Sequence, residues 1–223
     1  PFTEYPVVVK VMDDKGEAAE AVTSFETGRM GTAWKAQWIT DGEYHFTEKK
    51  ISPKTMTFRK KIACSKKVTK ARLYTTALGI YEMTLNGEKV GDIYFAPGFT
   101  SYKHQLQYQT YDVTEQLKSS EGMENELIAV VGGGWAVGSF TYKRVNRNYA
   151  DRQALLCELR ITYEDGSEEI IGTDESWEVT LDGAVRETEF YNGEIYDATV
   201  DMDKIAWHKA SREQVKLQPE ILA

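Results

Sequence analysis

Apolar and polar residues alternate with period two along most of this chain, and nowhere does a long run repeat at helical spacing. TMTFRKKI (55–62), RLYTTAL (72–78), IYEMTL (80–85), LQYQTYDV (106–113), ELIAVV (126–131) and LLCELRITY (155–163) all carry the pattern. Each is rich in β-branched and aromatic residues, which suit a pleated, half-buried surface. Turn chemistry separates them. Asn86-Gly87 supplies the two positive-φ positions of a tight hairpin, and Asp165-Gly166 repeats the signal before EEII. Asp13-Asp14-Lys15-Gly16 closes a hairpin between PVVVKVM and AVTSF. The best helical candidate, Asp112 to Leu117, is a single turn capped by Asp112 or Thr114. The expected class is all-β, and many short strands with regular turns imply a sandwich.

Composition narrows the partners. A formal charge of −8 argues against binding nucleic acid through its phosphates, which needs clustered Lys and Arg. No apolar run is long enough for a membrane span. Residues 1–30 lack the layout of a signal peptide, which leaves periplasmic, secreted and cytoplasmic placement all open. Cys64 and Cys157 sit in separate strand-like stretches, so two buried free thiols are expected ahead of one disulfide. Three His and two Cys without close pairing do not make a zinc site.

LIAVVGGGWAVGSF (127–140) sets the bulky Trp135 against the bare backbone of Gly132, Gly133 and Gly134. A phosphate loop would end in Gly-Lys-Ser/Thr, and a dinucleotide fingerprint would open a helix; neither is expected here. Two readings remain. In one, the glycines turn the strand and Trp135 fills the core. In the other, the indole face and open backbone line a shallow sugar pocket. TYKRVNRNYA (141–150) follows as an irregular polar and aromatic loop, bringing Tyr142, Asn146 and Asn148 forward as sugar-binding candidates.

The remaining features read more plainly. Trp34 and Trp38 in WKAQWI share one side of a helix or strand and suit core or interdomain packing. Trp207 near the far end of the chain suits a neighbouring domain too. In YNGEIYDA, Glu194 and Asp197 would point to opposite faces of one strand, which counts against a catalytic pair. Loop pinning or interdomain contact, with Tyr196 beside them, is the expectation. The acidic turn Asp13, Asp14, Glu17 lacks the spacing of a calcium loop. His45, His104 and His208 have no triad context. No catalytic and no metal-ligating residue is assigned.

ARLYTTALGIYEMTLNGEKVGDIYFAPGFTSY (71–102), QYQTYDVTEQL (107–117), ENELIAVVGGGWAVG (124–138), TDESWEV (173–179) and YNGEIYDATVD (191–201) occur in that order. Together with WKAQWI, FRKKI and FETG upstream, the series resembles the amino-terminal β-sandwich region of bacterial α-L-rhamnosidases, glycoside hydrolase family 78. The resemblance implies a jelly-roll-like sandwich similar to galactose-binding domains. It also implies that the two catalytic glutamates lie on a separate helical barrel, for which this chain has no counterpart. The implied role is a non-catalytic accessory domain, sugar-binding or a purely structural scaffold. The implied partners are the downstream barrel and rhamnose-containing glycans. Some relatives bind rhamnose through calcium with an Asp-Asn pair. Placed at the Asn-Gly turn, that pair would be Leu85-Asn86 here, lacking the aspartate; Asn86 is a sugar-binding candidate, and no cofactor is assigned, with calcium the alternative that the resemblance leaves open. The expected organisation is 1–30 as the last strands of a fibronectin-like domain, 31–207 as the sandwich, and 208–223 as a linker towards the catalytic region.

Overall fold

The computed structural model describes residues 1–119, 123–217 and 219–223. β1 (Glu4–Met12) and β2 (Ala18–Glu26) form a hairpin turned at Asp13–Gly16, where the Asp13 carboxylate accepts the Lys15 and Glu17 amides. β3 (Ile39–Thr40), β4 (Met56–Ala63), β5 (Val68–Leu78), β6 (Ile80–Leu85) and β7 (Glu88–Lys89) follow. Asn86 and Gly87 both take positive φ, 55° and 82°, in the β6–β7 hairpin, as the sequence predicts.

LQYQTYDV is not one strand. It divides at Tyr108 into β8 (Gln105–Gln107) and β9 (Gln109–Asp112). β9 pairs with β5, whereas β8 is drawn away to pair with the end of the chain. The expected turn is present: Gln116 and Leu117 amides donate to Val113 O, and Asp112 Oδ1 accepts from the amide and hydroxyl of Thr114. β10 (Glu124–Gly132) leads into α1 (Gly134–Val137), then β11 (Ala154–Tyr163), β12 (Glu168–Gly172) and β13 (Glu178–Thr180). β14 (Val185–Glu189) and β15 (Gly193–Tyr196) make a second hairpin. β16 (His208–Lys209), β17 (Ser211–Arg212) and β18 (Glu220–Leu222) finish the chain.

Two six-stranded antiparallel sheets, β16-β13-β4-β10-β6-β7 and β17-β3-β11-β5-β9 with β12 beside β11, enclose one main core. Alternation places the side chains. On β10, Asn125, Leu127, Ala129 and Val131 point inward and Glu126, Ile128 and Val130 outward. Cys64 and Cys157 are both free and buried, and desolvation raises both thiol pKa values.

The tail departs from expectation. Residues 208–223, Gln218 apart, were expected to lack strands; instead β16 and β17 add one strand to each sheet, and Ala210 between them is buried in the core. These strands are two residues long and β18 is three, too short to display alternation.

β11 also breaks the simple rule. Its outward-facing Glu158 is buried because Arg29 and Lys35, in the segment ahead of β3, fold over it. Glu158, wholly buried, accepts from the Arg29 guanidinium at 2.9 Å, from Arg160 at 3.1 Å and from the Lys35 amide at 2.6 Å. Arg29 lies 3.8 Å above the Trp34 ring. Burying charge is costly unless the pair is saturated with partners, and here the carboxylate is. At the base of the β1–β2 hairpin, Glu26 bridges to Lys70 and Arg72, and Phe2 packs edge-on against Tyr74.

Candidate functional site

β10 carries the glycine run to one end of the sandwich. Gly132 pairs with Ile80, and the next residues turn into α1, where the Val137 amide donates to Gly133 O. A helical turn therefore does follow the glycines, contrary to the sequence reading. It is four residues long, because the chain turns out of it at Gly138 in extended conformation. Gly134 holds φ +50°, and a Cβ there would sit 2.7 Å from the Ile80 amide nitrogen. At Gly138 a Cβ would overlap the carboxyl of Glu189. Protein, not ligand, occupies the space that these glycines leave open.

That carboxyl is the unusual group here. Glu189, at the end of β14, is 5% exposed. Its Oε1 accepts from the Ser139 amide at 3.1 Å, while its Oε2 and the Ser139 hydroxyl are buried without a partner. Burial pushes its pKa up to about 7, with the Ser139 hydrogen bond opposing and Glu187 adding to the rise. Glu187 lies two residues back on the same strand and face, so the two acids cannot bracket a sugar bond from opposite sides.

Aromatic rings form a ladder above this point. Trp135, half-buried, stacks on Phe190 at 3.9 Å; Phe95 meets Phe190 at 4.9 Å; Phe99 meets Trp135 and Phe140 at 5.6 Å each. Sequence reasoning found Trp135 and missed Glu189, Phe190, Phe95 and Phe99. The available signal was YFAPGF, two phenylalanines flanking a Pro-Gly turn, where a core role is hard to arrange.

The sugar-binding candidates do not converge. Asn86 lies just past the opposite end of β6 from Ile80, roughly 20 Å from the glycines at the usual strand rise. Its amide donates to Gln116 O and Asn125 Oδ1, and its Oδ1 accepts from the Glu126 amide. Asn146 and Asn148 do lie near Trp135, in a loop that returns to α1 through Arg147 and Tyr149 amides. Asn146 donates to Glu48 O and Ile51 O, and Asn148 to Val145 O. Tyr142 is fully exposed.

The interdomain candidates are scattered. Trp34 stacks beneath Arg29 and edge-on to Tyr108; Trp38 packs on the second buried cluster; the Trp207 ring lies 4.1 Å from the Arg59 guanidinium. Glu194 and Tyr196 are exposed on β15. Asp197 takes the Thr199 amide and hydroxyl and pairs with Arg186 at 3.2 Å, which holds its pKa down. Among the described residues no cluster of three metal-ligating side chains occurs.

Two antiparallel sheets packed face to face around one apolar core define the class as an all-β sandwich domain. The family model described as the alpha-L-rhamnosidase N-terminal domain matches residues 66–220, and the chain belongs to that family. It is 35% identical over 195 residues to an alpha-L-rhamnosidase of Formosa agariphila, covering 85% of this chain and 21% of that protein. An alpha-L-rhamnosidase of Streptomyces avermitilis is 42% identical over 133 residues, covering 60% of this chain and 12% of its own length. The solved alpha-L-rhamnosidase of Dictyoglumus thermophilum superposes with a TM-score of 0.81 at 32% identity, over 96% of this chain and 25% of that one. The chain thus spans about a fifth of the first of these curated relatives.

Proposed function

We propose that this chain is a non-catalytic accessory module of an α-L-rhamnosidase that removes terminal α-L-rhamnose from glycosides or plant polysaccharides. The observation that carries it is the match to the N-terminal domain family in a chain covering only about a fifth of a rhamnosidase. The chemistry of the site agrees. Glu189, whose pKa burial raises to about 7, is sealed beneath Gly138, and its neighbouring acid Glu187 lies on the same face of β14.

Between the two accessory roles, scaffold is favoured over sugar binding. The amide donors of Asn86, Asn146 and Asn148 already serve neighbouring carbonyls, leaving few polar groups to read hydroxyls. The same reading makes residues 1–30 the last strands of a preceding fibronectin-like domain. Support comes from the hairpin: Tyr5, Val7, Val9 and Val11 face Phe25, Thr23, Ala21 and Ala19, giving one almost wholly apolar face, mostly open to water. Two-stranded hairpins seldom stand alone.

Calorimetric titration with rhamnose, with and without calcium, tests the choice: flat heats up to millimolar sugar are expected, and saturable binding would reinstate the sugar-binding role. Release of nitrophenol from an aryl rhamnoside by the 223-residue chain alone would overturn the non-catalytic reading.

A further inference from the structure

The ring ladder reaches the surface in a way that core packing does not require. Phe95 is 58% exposed and Phe99 51%, yet each touches a partly buried ring of the ladder. Tyr94 and Ile93 extend the same patch. Phe95 is held at φ +58°, a backbone state that bulky residues seldom adopt. A shallow groove beside them is floored by Ile80 and Val130 and closed by the β14–β15 hairpin. Clustered exposed aromatics mark contact surfaces.

The chemistry of the patch separates its possible occupants. A saccharide site needs convergent donors and acceptors around an aromatic face. Here the rings are mainly phenylalanine, and the nearby Asn192 and Asn146 amides already bond to Ser52 and to backbone carbonyls. Rigid aromatics with few charges are what the centre of a protein–protein contact uses. Chain length supplies the occupant. The matched rhamnosidases are about four times as long as this chain, as its 21% and 25% shares show. Ile221, on the last strand, packs on the same buried cluster as Trp135, so polypeptide following β18 would start within reach of the ladder.

We infer that the Phe95–Phe190–Trp135–Phe99 ladder is the seat on which the rhamnosidase chain beyond residue 223 docks. This rests on the functional reading above. It differs from the sequence-level choice of Trp34, Trp38 and Trp207, whose rings are already engaged by Arg29, the second cluster and Arg59.

Thiol labelling tests the seat. In a Phe99→Cys variant, maleimide should react rapidly in the 223-residue chain and at least tenfold more slowly in the whole rhamnosidase polypeptide. A Lys67→Cys variant, substituted in the exposed turn just ahead of β5, should label equally in both. The native thiols of Cys64 and Cys157 are buried and report folding: they should stay silent. Because Phe99→Cys removes part of the seat, hydrogen exchange on the unsubstituted proteins provides a second reading. Amides of residues 93–99 should exchange at least tenfold more slowly in the whole polypeptide. Equal rates by both methods overturn the proposal. So does protection of the Phe99→Cys thiol by millimolar rhamnose in the short chain, which would make the ladder a sugar site. Hydrolysis of an aryl rhamnoside by the whole polypeptide is scored separately, so a failed docking result and a failed functional reading remain distinguishable.

Discussion

At the β6–β7 end of the sandwich, Asn86 and Asn125 close a hydrogen-bond network in which every side-chain donor and acceptor finds a partner: Asn125, wholly buried, accepts from Asn86 and the Lys118 amide and donates to Lys118 O and Ile62 O. At the glycine end, Glu189 Oε2 and the Ser139 hydroxyl have none, and aromatic rings stand half in water. One end is sealed by satisfied polar groups. The other holds unspent hydrogen bonds and open apolar surface, features native proteins keep where something else must bind or close. On the docking proposal the two ends divide the work: the one away from the glycines serves stability, and the glycine end serves contact.

Removing the centre of the satisfied network should have the largest effect. Asn125→Ala leaves buried partners unpaired and should cost about 3 kcal/mol in urea unfolding; a loss below about 1 kcal/mol would mean that the network is ornamental and the division wrong. Gly138→Ala comes next. Its backbone, φ −70° and ψ 179°, suits any residue, so the cost must come from the Glu189 carboxyl. About 2 kcal/mol is expected, as for an overpacked core position. The Gly138→Ala/Glu189→Ala double variant should recover part of it, and strict additivity would refute the assignment.

The pH dependence separates the ends further. The fold keeps the Glu189 proton up to about pH 7, whereas the unfolded chain releases it in the ordinary carboxylate range. The proton's contribution is complete at low pH and is lost as pH rises towards about 7, above which the curve is flat. A decline of about 3 kcal/mol is expected between these limits. Glu189→Gln should remove that slope; an unchanged slope places the titration elsewhere. Tyr142→Ala should shift stability by less than about 0.5 kcal/mol, since its ring touches only water.

The strands were legible wherever local chemistry decides them. Asn86-Gly87, Asp165-Gly166 and Asp13–Gly16 dictate hairpins within a few residues, and the β10 alternation is visible in ELIAVV. What escaped depends on distant chain. Nothing near Glu158 announces that Arg29 will fold back to bury it. Glu189 reads as a surface acid until β14 brings it beneath Gly138. Ser211 and Arg212 form a strand only because Ile39 and Thr40 offer an edge. At the site, Trp135 was found from its glycines, but its partners Phe99 and Phe190 lie far along the chain on either side of it.

The edge strands β16 and β17 matter during synthesis. Arg212 pairs with Ile39, and Lys209 with Glu178, so each sheet gains its outermost strand only after nearly the entire segment has left the ribosome. The Arg212–Ile39 pairing spans most of the chain, and contacts of such long sequence separation slow folding. During translation, the emerging β3 and β13 therefore wait with unpaired edges, and a stalled or truncated nascent chain would present them to other polypeptides.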